Sequence, residues 1–146
     1  MKLFSIGFTQ TTAEHFFTRL KSAGVRRVID VRLHNVSQLA GFAKKDDLRY
    51  FLEAIGGIEY EHRPELAPTA DLLGRYRNRG QPGSWEAYAS GFLDLIRERK
   101  IETTLSADAL DGACLLCSEH TAARCHRRLV AEYLSARWQG VQIHHL

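Results

Sequence analysis

Between Cys114 and Arg127 the chain reads Cys-Leu-Leu-Cys-Ser-Glu-His-Thr-Ala-Ala-Arg-Cys-His-Arg, a stretch that holds all three of its cysteines. Residues of these types support two kinds of chemistry. A cysteine beside imidazole and guanidinium groups, at the start of a helix, has its thiolate favoured and can act as a nucleophile. Cys114, Cys117, Cys125 and His126 also supply a zinc-type set of soft ligands with a Cys-x-x-Cys spacing. The spacing weighs against zinc. A zinc knuckle needs a turn between its paired cysteines, whereas Leu115 and Leu116 continue an apolar run that reads as a strand, where residues three apart point to opposite faces. Cys114 is therefore expected as a buried core thiol, and the protein as free of metal and cofactor.

Two further thiol arrangements fit poorly. A phosphatase-like or rhodanese-like anion cradle would need Cys-x₅-Arg, but six residues separate Cys117 from Arg124. A thioredoxin-type Cys-x-x-Cys belongs at a helix start rather than inside a strand. The chemistry then falls to Glu119, Cys125, His126 and Arg127, with Cys125 as nucleophile and Glu119 as acid–base group. Neighbours on a helix point about 100° apart, so Cys125 and His126 need not form a pair. The competing reading has Cys125 packed inward and Arg127 bound to Glu119 or Asp30, pinning the turn.

These residues sit where a strand meets a helix. Gly112 to Leu116 has the pattern of a short buried strand, and from Thr121 the apolar positions Leu129, Val130, Tyr133, Leu134 and Trp138 recur at helical spacing. Earlier segments alternate in the same way. Lys2 to Ile6 reads as a strand closed by Gly7, whose lone glycine serves tight geometry better than phosphate binding. Thr11 and Glu14 fit a capping box for a helix carrying Phe16, Phe17 and Leu20. Val25 to Val31 is a second strand ending in Asp30, Arg32 and His34, either ligand contacts or an ion pair that orders the loop from Leu33 to Ala43. Leu39 and Phe42 of that loop are expected to turn inward.

Asp46 and Asp47 open a helix that Gly56-Gly57 stops, followed by a strand from Ile58 to His62. Thr69 caps a helix to Gly80 whose Arg75, Arg77 and Arg79 do not share a face and read as solvated. Ser84 caps another, to about Arg99. Ile101 to Asp111 fits either a helix or a loop, and Val141 to His145 reads as the last strand. The pattern predicts one α/β domain over residues 1–146: a mostly parallel, Rossmann-like sheet with helices on both faces. In such a sheet ligands bind at the carboxyl ends of the strands. Asp30, Arg32, Glu119 and Arg127 are expected to converge there as a cluster of ion pairs.

Composition narrows the class. With 45% apolar and 25% charged residues the chain has ordinary globular usage. A net charge of +3 is too small to announce a nucleic-acid partner. An odd number of cysteines suits reduced thiols. The apolar opening from Met1 to Ile6 is too short for a signal sequence, and no run approaches membrane-spanning length, so a cytoplasmic protein with no membrane partner is expected.

Ser5-Ile-Gly-Phe-Thr9, Val28-Ile-Asp-Val-Arg32, Ser37 with Gly41-Phe42, Ile58-Glu-Tyr-Glu-His62, Cys117-Ser-Glu119 and Cys125-His-Arg127 together resemble the DUF488 family of small α/β proteins. The resemblance spans nearly the whole chain and implies a pocket formed by Gly7, Thr9, Asp30, Arg32, Ser37, Cys117, Glu119, Cys125, His126 and Arg127. It implies no particular reaction. The chain departs from the family pattern at Phe8, usually His or Tyr, at Asn35, usually Pro, and at Gln38, commonly Arg. With Gln38 in place of that arginine, the position offers no guanidinium to a phosphate. Two functions are carried forward: an enzyme that processes a nucleotide-like or other anionic small molecule, or a module that binds a nucleotide or nucleic-acid end without chemistry.

Overall fold

The computed structural model describes residues 1–36 and 40–146. Strands β1 (Lys2–Gly7), β2 (Arg27–Asp30), β3 (Glu59–His62), β4 (Ala113–Cys117) and β5 (Gln142–His145) form one sheet in the order β3-β2-β4-β1-β5, with every pairing parallel. The helices are α1 (Ala13–Ser22), α2 (Lys45–Gly56), α3 (Ala70–Tyr76), α4 (Trp85–Glu98), α5 (Ile101–Thr104), α6 (Ala107–Leu110) and α7 (His126–Ser135). The protein is thus of the α/β class, as expected. Its strand order differs from the dinucleotide-binding sheet in placing β4 between β1 and β2.

Side-chain alternation along the strands builds two cores. Leu3, Ile29, Val31, Leu115 and Cys117 pack with Phe92 and Ile96 of α4 and Leu129, Val130 and Leu134 of α7. Phe4, Ile6, Val28, Cys114 and Leu116 face the other way, onto Phe16 and Leu20 of α1 and Leu48 and Leu52 of α2. Burial on both faces explains why β1, β2 and β4 read as nearly continuous apolar runs.

Several boundaries move from their expected places. Thr12, not Thr11, caps α1, because its hydroxyl accepts the His15 N–H. Helix α3 ends at Tyr76, short of Gly80, and the ambiguous stretch after Arg99 forms the two short helices α5 and α6. Helix α7 starts at His126 rather than Thr121, so residues 118–125 form a loop and Cys125 is the cap residue rather than part of the first turn. Phe42 does turn inward, packing against Phe8, Phe16 and Phe17. Leu39, Ser37 and Gln38 lie outside the described residues.

Candidate functional site

Strand β4 is the middle strand of the sheet, and Cys117 is its last residue. The loop that follows returns the chain so that Cys125 and His126, at the start of α7, come back over that strand end. The sulfurs of Cys117 and Cys125 and a ring nitrogen of His126 all lie within 4.8 Å of one another. His126 is held by its far side: Nε2–H donates to the Val31 carbonyl at 2.7 Å. That bond assigns the ring proton to Nε2 and leaves Nδ1 facing Cys117 Sγ at 3.7 Å. The Phe92 ring closes the site edge-on, 5.3 Å from the imidazole. All three side chains are buried, with 3%, 2% and 6% of their surface exposed for Cys117, Cys125 and His126.

The two neighbouring thiols diverge in acidity. A hydrogen bond from the Cys125 thiol lowers the Cys117 pKa well below its ordinary value, and the His126 charge and the Ser118 N–H add to this against the effect of burial. Donating that bond raises the Cys125 pKa well above the ordinary range, and burial raises it further. Burial opposes charging of His126, but the Cys117 charge, its hydrogen bond and the Val31 carbonyl together raise the His126 pKa. Cys114 points to the opposite face, and burial alone pushes its pKa far up. As a donor set, two thiols and an imidazole with Nδ1 turned inward suit a soft divalent cation.

Beside this centre Arg127 is almost fully buried, at 1% exposure. Its guanidinium donates to the Glu119 backbone carbonyl at 2.8 Å and to Ser5 Oγ at 3.3 Å. Among the described residues no carboxylate pairs with it, so the expected Arg127–Glu119 ion pair is replaced by a contact with the Glu119 main chain. The Glu119 carboxylate instead reaches outward to Arg77 at 3.3 Å, both side chains being half exposed. Gly7 and Thr9 secure the same loop. A Cβ on Gly7 would collide with the Glu119 carbonyl. Thr9 donates to the Ser118 carbonyl through its N–H at 3.2 Å and its hydroxyl at 2.8 Å.

Asp30 and Arg32 form a separate cluster. Asp30 lies opposite Leu116 in the sheet register and so points to the α1/α2 face, away from Cys117. The Arg32 guanidinium grips it through Nε and Nη2, both at 2.9 Å, and Nη2 also donates to the Ala43 carbonyl at 2.7 Å. Tyr60 completes the group with a 2.6 Å bond to Asp30 Oδ2. Phe8, one of the family-pattern departures, lies 5.1 Å from the same guanidinium as a cation–π partner. The single converging cluster is therefore corrected: adjacent strand ends bring these residues near in space, but alternation sends them to opposite faces.

On the Asp30 side, a cleft of about 640 Å³ opens between the end of β1 and the start of α1, lined by Phe8, Thr9, Gln10, Thr11, Thr12, His15 and Ala40. Gln10 adopts a left-handed backbone there, with φ 58°. Of the expected pocket residues, only Thr9 among the described ones lines this cleft. Sequence reasoning missed Tyr60 and Ser5, which lie inside strands, and Arg77, whose pairing with Glu119 spans 42 positions. Tyr88, buried on α4, is near enough that, after burial, the Cys117 and Cys125 charges raise its pKa.

The fold and this buried cysteine–histidine centre define a parallel α/β protein with a thiol site at the carboxyl end of its middle strand. The chain belongs to the family described as domain of unknown function DUF488, whose model matches residues 12–134. No curated protein and no solved structure shows a significant match. Among the described residues, no helix is long and apolar enough to cross a membrane.

Proposed function

We propose that the protein is an enzyme acting on an anionic small molecule, of which a nucleotide-like compound is the leading case, and that its reacting centre is the Cys117–Cys125–His126 cluster. The observation that carries this is the orientation of His126: its Nε2–H is fixed on Val31, so that Nδ1 is presented to Cys117 at the end of the middle strand. A thiolate so placed either attacks an electrophile or ligates a soft cation. Cys125, sequence reasoning's nucleophile, acts here as the thiol that supports Cys117. Glu119 works from the rim, where its pair with Arg77 closes the loop over the centre. Preference for an anion rests on Arg127, a buried guanidinium without a carboxylate partner among the described residues.

The test is a turnover screen with phosphate esters and nucleotides, repeated on Cys117→Ser, Cys125→Ser and Cys114→Ser. Turnover should vanish in the first and survive in the last. Turnover that survives Cys117→Ser in a folded protein would overturn the reading. A second function, binding without chemistry, is favoured by one observation: the cleft beside Thr9 and His15 contains none of the three cysteines. Saturable nucleotide binding by calorimetry, lost in His15→Ala and untouched by Cys117→Ser, would select it.

A further inference from the structure

From the same three side chains we infer that Cys117 Sγ, Cys125 Sγ and His126 Nδ1 hold a zinc-class divalent cation, with one coordination position left for water or substrate. This deepens the reading of the cluster as the reacting centre and replaces the metal-free expectation, which rested on including Cys114. That cysteine faces the opposite core and takes no part.

Geometry carries the argument. With Zn–S near 2.3 Å and Zn–N near 2.0–2.1 Å, a tetrahedral ion sets its sulfur and nitrogen ligands about 3.6 Å apart. The Cys117 sulfur and His126 Nδ1 are 3.7 Å apart, and the third donor lies within 4.8 Å of both. The outer contact of the imidazole matches as well, because histidine ligands commonly donate their second N–H to a backbone carbonyl or carboxylate, and His126 donates Nε2–H to Val31. Two sulfurs select a soft ion over magnesium or calcium. Each thiol releases its proton to solvent as it binds, so the two thiolates balance the charge of a divalent ion.

Two further features bear on the fourth position. Among the described residues no fourth cysteine, histidine or carboxylate donor joins the group. Three protein ligands with one place open is the arrangement of catalytic rather than closed structural zinc. Once the ion is balanced by its two thiolates, Arg127 still has no counter-charge among the described residues, which makes an anion the fitting visitor beside it.

Metal analysis and cobalt substitution of the full chain test this. Protein purified without chelator should carry about one equivalent of zinc. After its removal, titration with cobalt(II) should give a thiolate-to-cobalt charge-transfer band saturating at about one ion per chain, with the d–d intensity of a tetrahedral site. The band should fall by about half in Cys117→Ser or Cys125→Ser and be unchanged in Cys114→Ser. A folded wild-type chain that holds no zinc and develops no such band overturns the metal site, and so does an equal loss in Cys114→Ser. The wild-type measurement decides even if a variant fails to fold. Metal-free turnover that disappears in Cys117→Ser would leave the enzyme reading standing without the ion, whereas a loaded site in a protein that turns nothing over would do the reverse.

Discussion

Arg32 and Arg127 are both buried guanidiniums, yet among the described residues only Arg32 faces a carboxylate. Its two-pronged grip on Asp30, completed by Tyr60 and the Ala43 carbonyl, satisfies charges that burial would otherwise make costly. Asp30→Ala should therefore cost about 3–5 kcal/mol in urea unfolding, because it strands a buried cation. Tyr60→Phe should cost about 1.5–3 kcal/mol, the range for a hydrogen bond to a charged group. Arg127→Met should lose less than Asp30→Ala, since its partners are the neutral Ser5 hydroxyl and Glu119 carbonyl, but it should abolish anion binding. If Arg127→Met proves the more damaging of the two, Arg127 is a structural rather than a substrate-facing residue.

The loop between β4 and α7 is where elements become a site. Gly7 has no side chain because the Glu119 carbonyl occupies the space beside it, and the Arg127 guanidinium donates to that same carbonyl. Gly7→Ala should cost about 1–3 kcal/mol from overpacking and should displace this loop, which a rise in the alkylation rate of Cys117 would report. A variant with unchanged stability and unchanged thiol reactivity would mean that the loop is not held in this way. Thr12 gives an independent check on α1: Thr12→Ala should lower stability by about 1 kcal/mol, whereas Thr11→Ala should lack any capping effect, its hydroxyl having no hydrogen-bond partner among the described residues.

At the scale of the whole molecule, β5 closes the sheet against β1 and brings residues from the two ends of the sequence together. His145 Nδ1 lies 2.6 Å from Ser5 Oγ. Partial burial lowers the His145 pKa, and the Arg127 charge lowers it further. The folded protein therefore prefers the neutral ring. That preference contributes stability above the unfolded histidine value of about 6.5 and is lost as pH falls below it. Denaturation midpoints should decline on acidification through this window, with a shallow slope because the ring is largely exposed, and His145→Gln should flatten the decline. An unaltered pH profile in that variant would assign the acid sensitivity to other groups.

Apolar periodicity, caps and glycine stops placed every strand and helices α1, α2 and α4 within a few residues, because local spacing determines which face of an element is buried. The strand setting of Leu115 and Leu116 likewise showed in advance that Cys114 would part from Cys117. Three matters had no local signal. Insertion of β4 between β1 and β2 put Cys117 on the middle strand. The extra loop before α7 brought Cys125 and His126 back over it, although helical spacing suggested an earlier start. Register with Leu116 turned Asp30 and Arg32 to the other face. Each depends on contacts between segments far apart in the chain, where a shift of one residue in register reverses the face a side chain meets.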